Sequence, residues 1–397
     1  MASLEYIDLY AGCGGLSWGL MQSGWQGLFA IEKDAFAFET LRHNLIDRKK
    51  HFRWPGWFPL GPHDIDEVLL NYKTQVRKLA SSVDLIAGGP PCQGFSVNGR
   101  RNQRDRRNRL VDSYVSFVEL VMPKLLFFEN VRGFGMEFLK NGSGVVYSAQ
   151  VVRRLKDLGY DVCWKIINFG NYGVPQRRLR FILVGTLIGK AEEFFECLTE
   201  RRTEFLKKKG LGIVQSVSQA ISDLERQHGE AECPDSRNFR SGQYAPAKNK
   251  YQKLMRLDYL PKIPDSHRFP RHRPHIVERF EEILEHAPRD RQLSGDLRTK
   301  YDLKKRSITP LDENVVCPTI TSLPDDYIHY AEPRVLTVRE CARIQSFPDD
   351  FEFRGKYTSG GDRRSREVPR YTQVGNAIPP LFAELAGYVL KQLAHDA

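Results

Sequence analysis

Tyr6-Ile7-Asp8-Leu9-Tyr10-Ala11-Gly12-Cys13-Gly14-Gly15-Leu16 is the stretch that orders the rest of the chain. Residues 6–10 read as a strand, 12–15 as a glycine turn and 16–22 as a helix. A turn of this kind lets the backbone approach a ligand closely and aims helix N–H groups at an anion. Working outward, further strands are predicted at 28–32, 84–87, 125–129, 163–169 and 180–184, with helical patterns at 35–45, 111–122 and 147–158. Near-continuous apolar strands alternating with amphipathic helices predict an α/β fold around a mostly parallel, doubly wound sheet. The rhythm breaks after Gly185, and the polar, proline-dotted stretch 187–330 is expected to form a second domain.

Glu32 stands 20 residues after Gly12, at the end of the second strand, where an acid can bind ribose hydroxyls. The glycines depart from GxGxxG, because Gly15 follows Gly14 directly. That disfavours a nicotinamide or flavin and leaves S-adenosylmethionine as a candidate, its carboxylate at the turn. The plain alternative is a tight strand–helix turn with no ligand.

The chain has 397 residues, 60 Lys+Arg against 49 Asp+Glu, and a formal net charge of +11. Hydrophobic content of 41% and charged content of 27% fit a soluble globular protein rather than a disordered one. Its longest apolar runs are far too short for a bilayer, and Glu5 and Asp8 fall where a signal peptide would be basic then apolar. A cytoplasmic location is therefore expected. Seven scattered cysteines with no CxxC pair predict neither a disulfide framework nor a zinc site. His267, His272 and His275 have no neighbouring cysteines and four interleaved arginines, so phosphate contact or plain surface is expected there and no metal.

Gly88-Gly89-Pro90-Pro91-Cys92-Gln93-Gly94-Phe95-Ser96 follows the third strand. Ligands of open α/β sheets bind at the carboxyl ends of strands, and two prolines stiffen this turn, which favours Cys92 as a nucleophile over a structural thiol. Directly after it, residues 100–109 hold six arginines (Arg100, Arg101, Arg104, Arg106, Arg107 and Arg109) and one aspartate, a phosphate-gripping lid or a solvated face. Residues 187–330 are nearly balanced, with 25 Lys+Arg and 23 Asp+Glu. Glu129 ends the strand over 125–129, where it could donate a proton or be a satisfied strand-end acid. Strand alternation predicts Arg178 and Arg180 on one face, able to hold a carboxylate, a phosphate or a base carbonyl, with a surface basic patch as the alternative.

Together these motifs resemble those of DNA cytosine-5 methyltransferases of the prokaryotic modification type. The glycine turn, the Cys92 turn, Glu129-Asn130-Val131 and Gln176-Arg177-Arg178-Leu179-Arg180 occur in the family's order. Arg339-Glu340-Cys341-Ala342-Arg343-Ile344-Gln345-Ser346-Phe347-Pro348 and Gln373-Val374-Gly375-Asn376-Ala377-Ile378-Pro379-Pro380 complete the set. The resemblance implies a Rossmann-like S-adenosylmethionine-binding domain, 1–186 plus 331–397, and a smaller target-recognition domain, 187–330. It implies cofactor contacts from Tyr10, Gly12, Gly14, Gly15, Leu16, Glu32, Asp64, Ile65, Pro90, Leu110 and Asn376. Lys33 departs from the family's apolar or aromatic position. Cys92 would attack C6 of a flipped-out cytosine, Glu129 would hold N3, Arg180 the base carbonyl, and Arg178 would order Glu129 or the backbone. Ser96 and the arginine loop would contact DNA. The Arg339 motif would be a structural helix, and the C-terminal helix would return to the larger domain. A monomer acting on double-stranded DNA, with a restriction endonuclease in the same system, is the expected setting; the same chemistry on tRNA is the nearest rival, which the length of 187–330 disfavours.

Overall fold

The computed structural model describes residues 3–91, 109–136, 147–256, 262–305, 307–361, 363 and 366–395. It divides into two compact units: Met1–Phe169, Leu179–Phe205 and Phe382–Ala397 form the first, and Gly170–Arg178 with Leu206–Leu381 the second.

In the first unit, β1 (Glu5–Leu9), β2 (Gln26–Ile31), β3 (Leu85–Gly88), β4 (Leu125–Val131), β5 (Asp161–Asn168) and β6 (Leu179–Thr186) make one sheet in the order β2-β1-β3-β4-β6-β5. The first four strands run parallel, and β6 is antiparallel to both β4 and β5. The mostly parallel expectation thus holds except at β6. Runs such as Leu125-Leu126-Phe127-Phe128 are apolar without alternation because the sheet is buried on both faces. Ile7, Phe29, Ile86, Val115 and Phe128 belong to the core on one side of it.

Helix Gly15–Gln22 packs against the C-terminal segment within this unit. A Cβ on Gly19 would lie 2.4 Å from that of Ala383, so only glycine permits the approach. Trp25 Nε1–H closes the same contact, donating to the Gly387 carbonyl at 2.9 Å. The C-terminal helix therefore returns to the sheet unit, as the resemblance implies.

The second unit is built on buried guanidinium groups. Arg178, Arg339 and Arg343 are among the largest fully buried side chains of the chain. Arg343 binds Asp349 through Nε and Nη2, at 2.6 Å each, and faces Asp223 at 3.3 Å. Arg339 donates to the carbonyls of Pro348 and Phe351 and pairs with Asp265 at 3.0 Å. Arg334 meets Glu340 through two N–H groups at 2.7 and 2.8 Å. A buried cation is tolerable only when its hydrogen bonds are met this fully. Helix Val338–Ile344 starts with a capping box, Thr337 and Glu340 bonding reciprocally, so the Arg339 motif is structural.

These pairs explain why the boundary differs from the expected one. Residues 331–381 pack in the second unit rather than the first, because Arg343 ties their helix to Asp223 and Tyr251 OH donates to the Arg343 carbonyl at 2.6 Å. The nearly neutral balance of 187–330 also reflects internal pairing, as with Arg256 and Asp223.

His267 is no surface histidine: it is buried, with Thr337 Oγ1 and the Leu224 carbonyl each 2.8 Å from a ring nitrogen. His272 accepts from the Val335 N–H at 3.3 Å, while His275 is exposed. Burial lowers the pKa of His267 to about 4 and that of His329 to about 3, the latter helped by Arg334. Both are neutral in the fold but titrate near 6.5 once unfolded, so the unfolded state gains protons as pH falls below 6.5 and stability falls with it. Each contributes on the order of 1 kcal/mol per pH unit down towards pH 4. Hydrogen-exchange protection of Val338–Ile344 should therefore drop between pH 7 and pH 5, and drop less in His267→Asn. Pressure of burial on these two rings would be disproved by protection that is flat with pH.

Candidate active site

The register of the parallel strands gathers the predicted residues at one edge of the sheet. Leu9 pairs with both Ile31 and Gly88, and Gly88 pairs with Phe128. Tyr10, Glu32, Gly89 and Glu129 are each the next residue along. β1 and β3 are neighbours although β2 leaves on the other side of β1, so the crevice at this edge is the topological switch point, where open α/β sheets bind ligands.

Tyr10 and Gly12 have left-handed backbones, at φ 59° and 57°, and Gly14 has φ 93°. Among the described residues nothing lies within 4 Å of where a Gly12 Cβ would be, which leaves open space against the turn. A Cβ on Gly14 would instead lie 2.7 Å from Leu45 Cδ1, so that glycine is fixed by packing. Glu32 is half-buried and holds the turn, Oε2 accepting from Gly12 N–H at 2.9 Å and Oε1 from Asp34 N–H at 2.8 Å. Burial raises its pKa despite those two donors. Tyr10 OH donates to the Leu110 carbonyl at 2.5 Å, which joins helix Arg109–Val121 to the same edge. Asp64 caps helix Ile65–Asn71, accepting from Asp66 N–H at 2.9 Å, and Lys33 Nζ stands 3.9 Å from it. The open space at Gly12 and the carboxylate beside it fit the amino-acid and ribose ends of S-adenosylmethionine. Leu16 and Ile65 are buried, and Ile65 belongs to the core, so its side chain seats the helix.

Glu129 and Arg180 come together as a diagonal cross-strand pair, since Val131 is the residue opposite Arg180. Arg180 Nε is 2.8 Å from Glu129 Oε1, and both side chains are nearly buried. The N–H points off that line, so Oε1 accepts no hydrogen bond among the described residues. A buried carboxylate oxygen without a donor is costly unless a ligand completes it. A Cβ on Gly89 would lie 3.0 Å from Glu129 Oε2. Asn130 Nδ2 donates to the Pro90 carbonyl at 3.3 Å, and its Oδ1 accepts from Val131 N–H. Gly89 and Asn130 were not assigned from sequence; the Glu129-Asn130-Val131 motif carried the signal.

Arg178 departs from the expectation. β6 begins at Leu179, so strand alternation does not place Arg178 beside Arg180, and the two belong to different units. Its guanidinium is spent on backbone, donating to the Ile320 carbonyl at 3.2 Å and the Gly375 carbonyl at 2.9 Å. Gln176 joins the same web through Gln345. Asn376 is exposed at the end of helix Arg370–Asn376 in the second unit. Cys92, Ser96, Arg100, Arg101, Arg104, Arg106 and Arg107 lie outside the described residues, and of Arg109 only the backbone is described, at the start of its helix. Among the six described cysteines, Cys13, Cys233, Cys317 and Cys341 are buried. Burial raises the pKa of each, that of Cys13 to about 12.

Replacing Glu32 by Gln leaves one acceptor oxygen for two N–H groups. Unfolding in urea should show a loss of about 1–2 kcal/mol, read by tryptophan fluorescence, since Trp18, Trp25, Trp54, Trp57 and Trp164 all lie in the first unit. An unchanged midpoint would mean that Glu32 does not anchor the turn.

A model of the family "C-5 cytosine-specific DNA methylase" matches residues 4–392. Type II methyltransferase M.DdeI of Desulfomicrobium norvegicum is 33% identical, covering 96% of this chain and 87% of its own length. Type II methyltransferase M1.HphI of Haemophilus parahaemolyticus is 31% identical, covering 99% of this chain and 88% of its own length. A crystal structure described as a DNA modification methyltransferase encoded within a prophage (Escherichia coli) superposes with TM-score 0.66 at 24% identity, covering 98% of this chain and 99% of that one, and shares the fold. With a sheet edge that fits the cofactor and a family match over nearly its whole length, the chain belongs to the C-5 cytosine-specific DNA methylases: it is a DNA methyltransferase that uses S-adenosyl-L-methionine.

Proposed function

We propose that Cys92, Glu129 and Arg180 act on a cytosine flipped out of double-stranded DNA at a specific sequence. One observation carries this reading: Glu129 abuts Gly89 and Asn130 holds the Pro90 carbonyl, so the Glu129 motif is fastened to the turn that leads into Cys92. Burial also disfavours the thiolate at the described cysteines, most strongly at the fully buried Cys13, Cys317 and Cys341.

The Cys92 thiolate bonds to C6, and the C5–C6 π electrons move onto C5 as an enamine. Glu129 hydrogen-bonds N3 and the exocyclic amino group, where its Oε1, which accepts no hydrogen bond among the described residues, gains a donor and the developing charge is stabilised. Arg180 keeps Nε on Glu129 and Nη1 on the Leu179 carbonyl, which leaves Nη2 for the base carbonyl O2. S-adenosylmethionine, when bound, supplies an electrophilic sulfonium methyl group that C5 takes. Loss of the C5 proton and departure of the Cys92 thiolate from C6 then restore the aromatic ring.

Around this chemistry, Tyr10, Gly12, Gly14, Gly15, Leu16, Glu32, Asp64, Ile65, Pro90, Leu110 and Asn376 contribute to cofactor binding. Leu16 and Ile65 do so through the backbone. Arg178 positions backbone of the second unit instead of Glu129. Ser96 and the arginines of 100–109 grip DNA phosphates, and the second unit reads the target sequence. The enzyme works as a monomer in the cytoplasm of a prokaryotic or viral host, alongside an endonuclease that cuts the same site unmethylated.

Bisulfite sequencing of DNA from a host expressing the chain tests the proposal. Cytosines in one sequence context should become protected, and Cys92→Ala should abolish protection. Glu129→Gln should slow methylation by about 10²-fold or more. Full protection by Cys92→Ala would contradict it.

A further inference from the structure

The hairpin of β7 (Glu230–Glu232) and β8 (Arg240–Gly242) in the second unit ends in a loop that is tied down everywhere except its tip. Cys233 N–H donates to the Phe239 carbonyl at 2.9 Å, and Phe239 N–H closes a turn on the Ser236 carbonyl at 3.2 Å. Arg237 and Asn238 are the two corner residues of that turn, and Asn238 takes a left-handed backbone at φ 65°. Both are exposed, and neither side chain makes a hydrogen bond or ion pair among the described residues.

Beneath the tip the support is rigid. The Arg268 guanidinium lies 4.2 Å from the Phe239 ring and 3.7 Å from the Tyr357 ring, and Arg370 covers Tyr357 at 4.3 Å. Arg268 Nη1 donates to Ser236 Oγ at 3.0 Å, and Asp235 accepts from Tyr357 OH at 2.9 Å. Phe269 N–H donates to the Arg240 carbonyl at 2.9 Å, and Ser241 Oγ donates to the His267 carbonyl at 2.8 Å. An open hollow of about 310 Å³, lined by Asp235, Ser236, Arg268, Lys356, Tyr357 and Arg370, flanks the loop.

We propose that Arg237 and Asn238 read base edges in the major groove of the target DNA. The inference rests on the enzyme's acting on duplex DNA at a specific sequence. A two-stranded β ribbon fits the major groove. Arg and Asn are the side chains whose paired groups match guanine O6/N7 and adenine N6/N7. Asparagine at a turn ordinarily spends its amide on nearby backbone; Asn238 does not. A phosphate grip would need only charge and no particular fork, and the neighbouring cations Lys356 and Arg240 are paired with Glu367 at 2.8 Å and Glu230 at 3.4 Å. Here the fold fixes Phe239, Arg268 and Tyr357 in a stack and leaves a fork and an amide at its end, with no partner for either among the described residues.

The test uses the full chain and a duplex pool randomised around a central cytosine, methylated and then read by bisulfite sequencing. The wild type should show a strong preference at several positions. Asn238→Ala and Arg237→Ala should each flatten the preference at one or two of them, by about 10- to 100-fold. Arg237→Lys should behave like Arg237→Ala, because lysine keeps the charge and loses the fork. Preference unchanged in all three variants would overturn the proposal. So would a uniform drop in rate across all sequences that Arg237→Lys rescues, which is the signature of a phosphate contact. A wild type that methylates no DNA would overturn the enzymatic reading and this inference with it.

Discussion

The active edge depends on the placement of Glu129, held between a glycine and an arginine. A side chain at position 89 would come within 3.0 Å of its Oε2, and Arg180 stands 2.8 Å from its Oε1. The pairing is possible only because β6 runs antiparallel beside β4, which brings Arg180 opposite Val131 and diagonal to Glu129. The one reversed strand in the sheet therefore has a chemical consequence. A parallel neighbour would have presented its amino end at the opposite edge, away from the crevice where parallel strands bind ligands.

Strand positions were legible because buried parallel strands carry continuous apolar runs. β4 was expected over 125–129 and occupies Leu125–Val131, and β6 was expected over 180–184 and occupies Leu179–Thr186. The glycine turn and Glu32 were legible for a related reason, since a left-handed backbone and a strand-end acid at fixed spacing leave a clear mark. Unit boundaries were not. Arg334, Arg339 and Arg343 are buried with Glu340, Asp265 and Asp349 as partners. Periodicity cannot reveal a core made of ion pairs, and residues 331–381, which the resemblance implies for the larger domain, cluster with the second unit. Arg178 does not share a strand face with Arg180, because the strand starts one residue after it, and it holds backbone carbonyls, one of the two roles that the resemblance implies.

Charge follows the same division. A net +11 over 397 residues says little by itself. In the second unit much of the arginine is consumed in holding backbone carbonyls and buried carboxylates. What remains outward there, such as Arg237, is correspondingly informative. The six arginines of 100–109 follow the Cys92 turn in sequence, so the chain's basicity is weighted towards the proposed nucleophile rather than towards the body of the second unit.

The central claim is that Cys92 adds covalently to C6 while Glu129 holds the ring. A duplex carrying 5-fluorocytosine at the target position tests it most directly, because C5 then has no proton to lose and the adduct cannot collapse. With S-adenosylmethionine present, denaturing electrophoresis should show a stable protein–DNA complex, and peptide mapping should place the DNA on Cys92. The complex should form far more slowly with Glu129→Gln. An adduct mapped to any other cysteine, or methyl transfer by Cys92→Ala, would contradict the account.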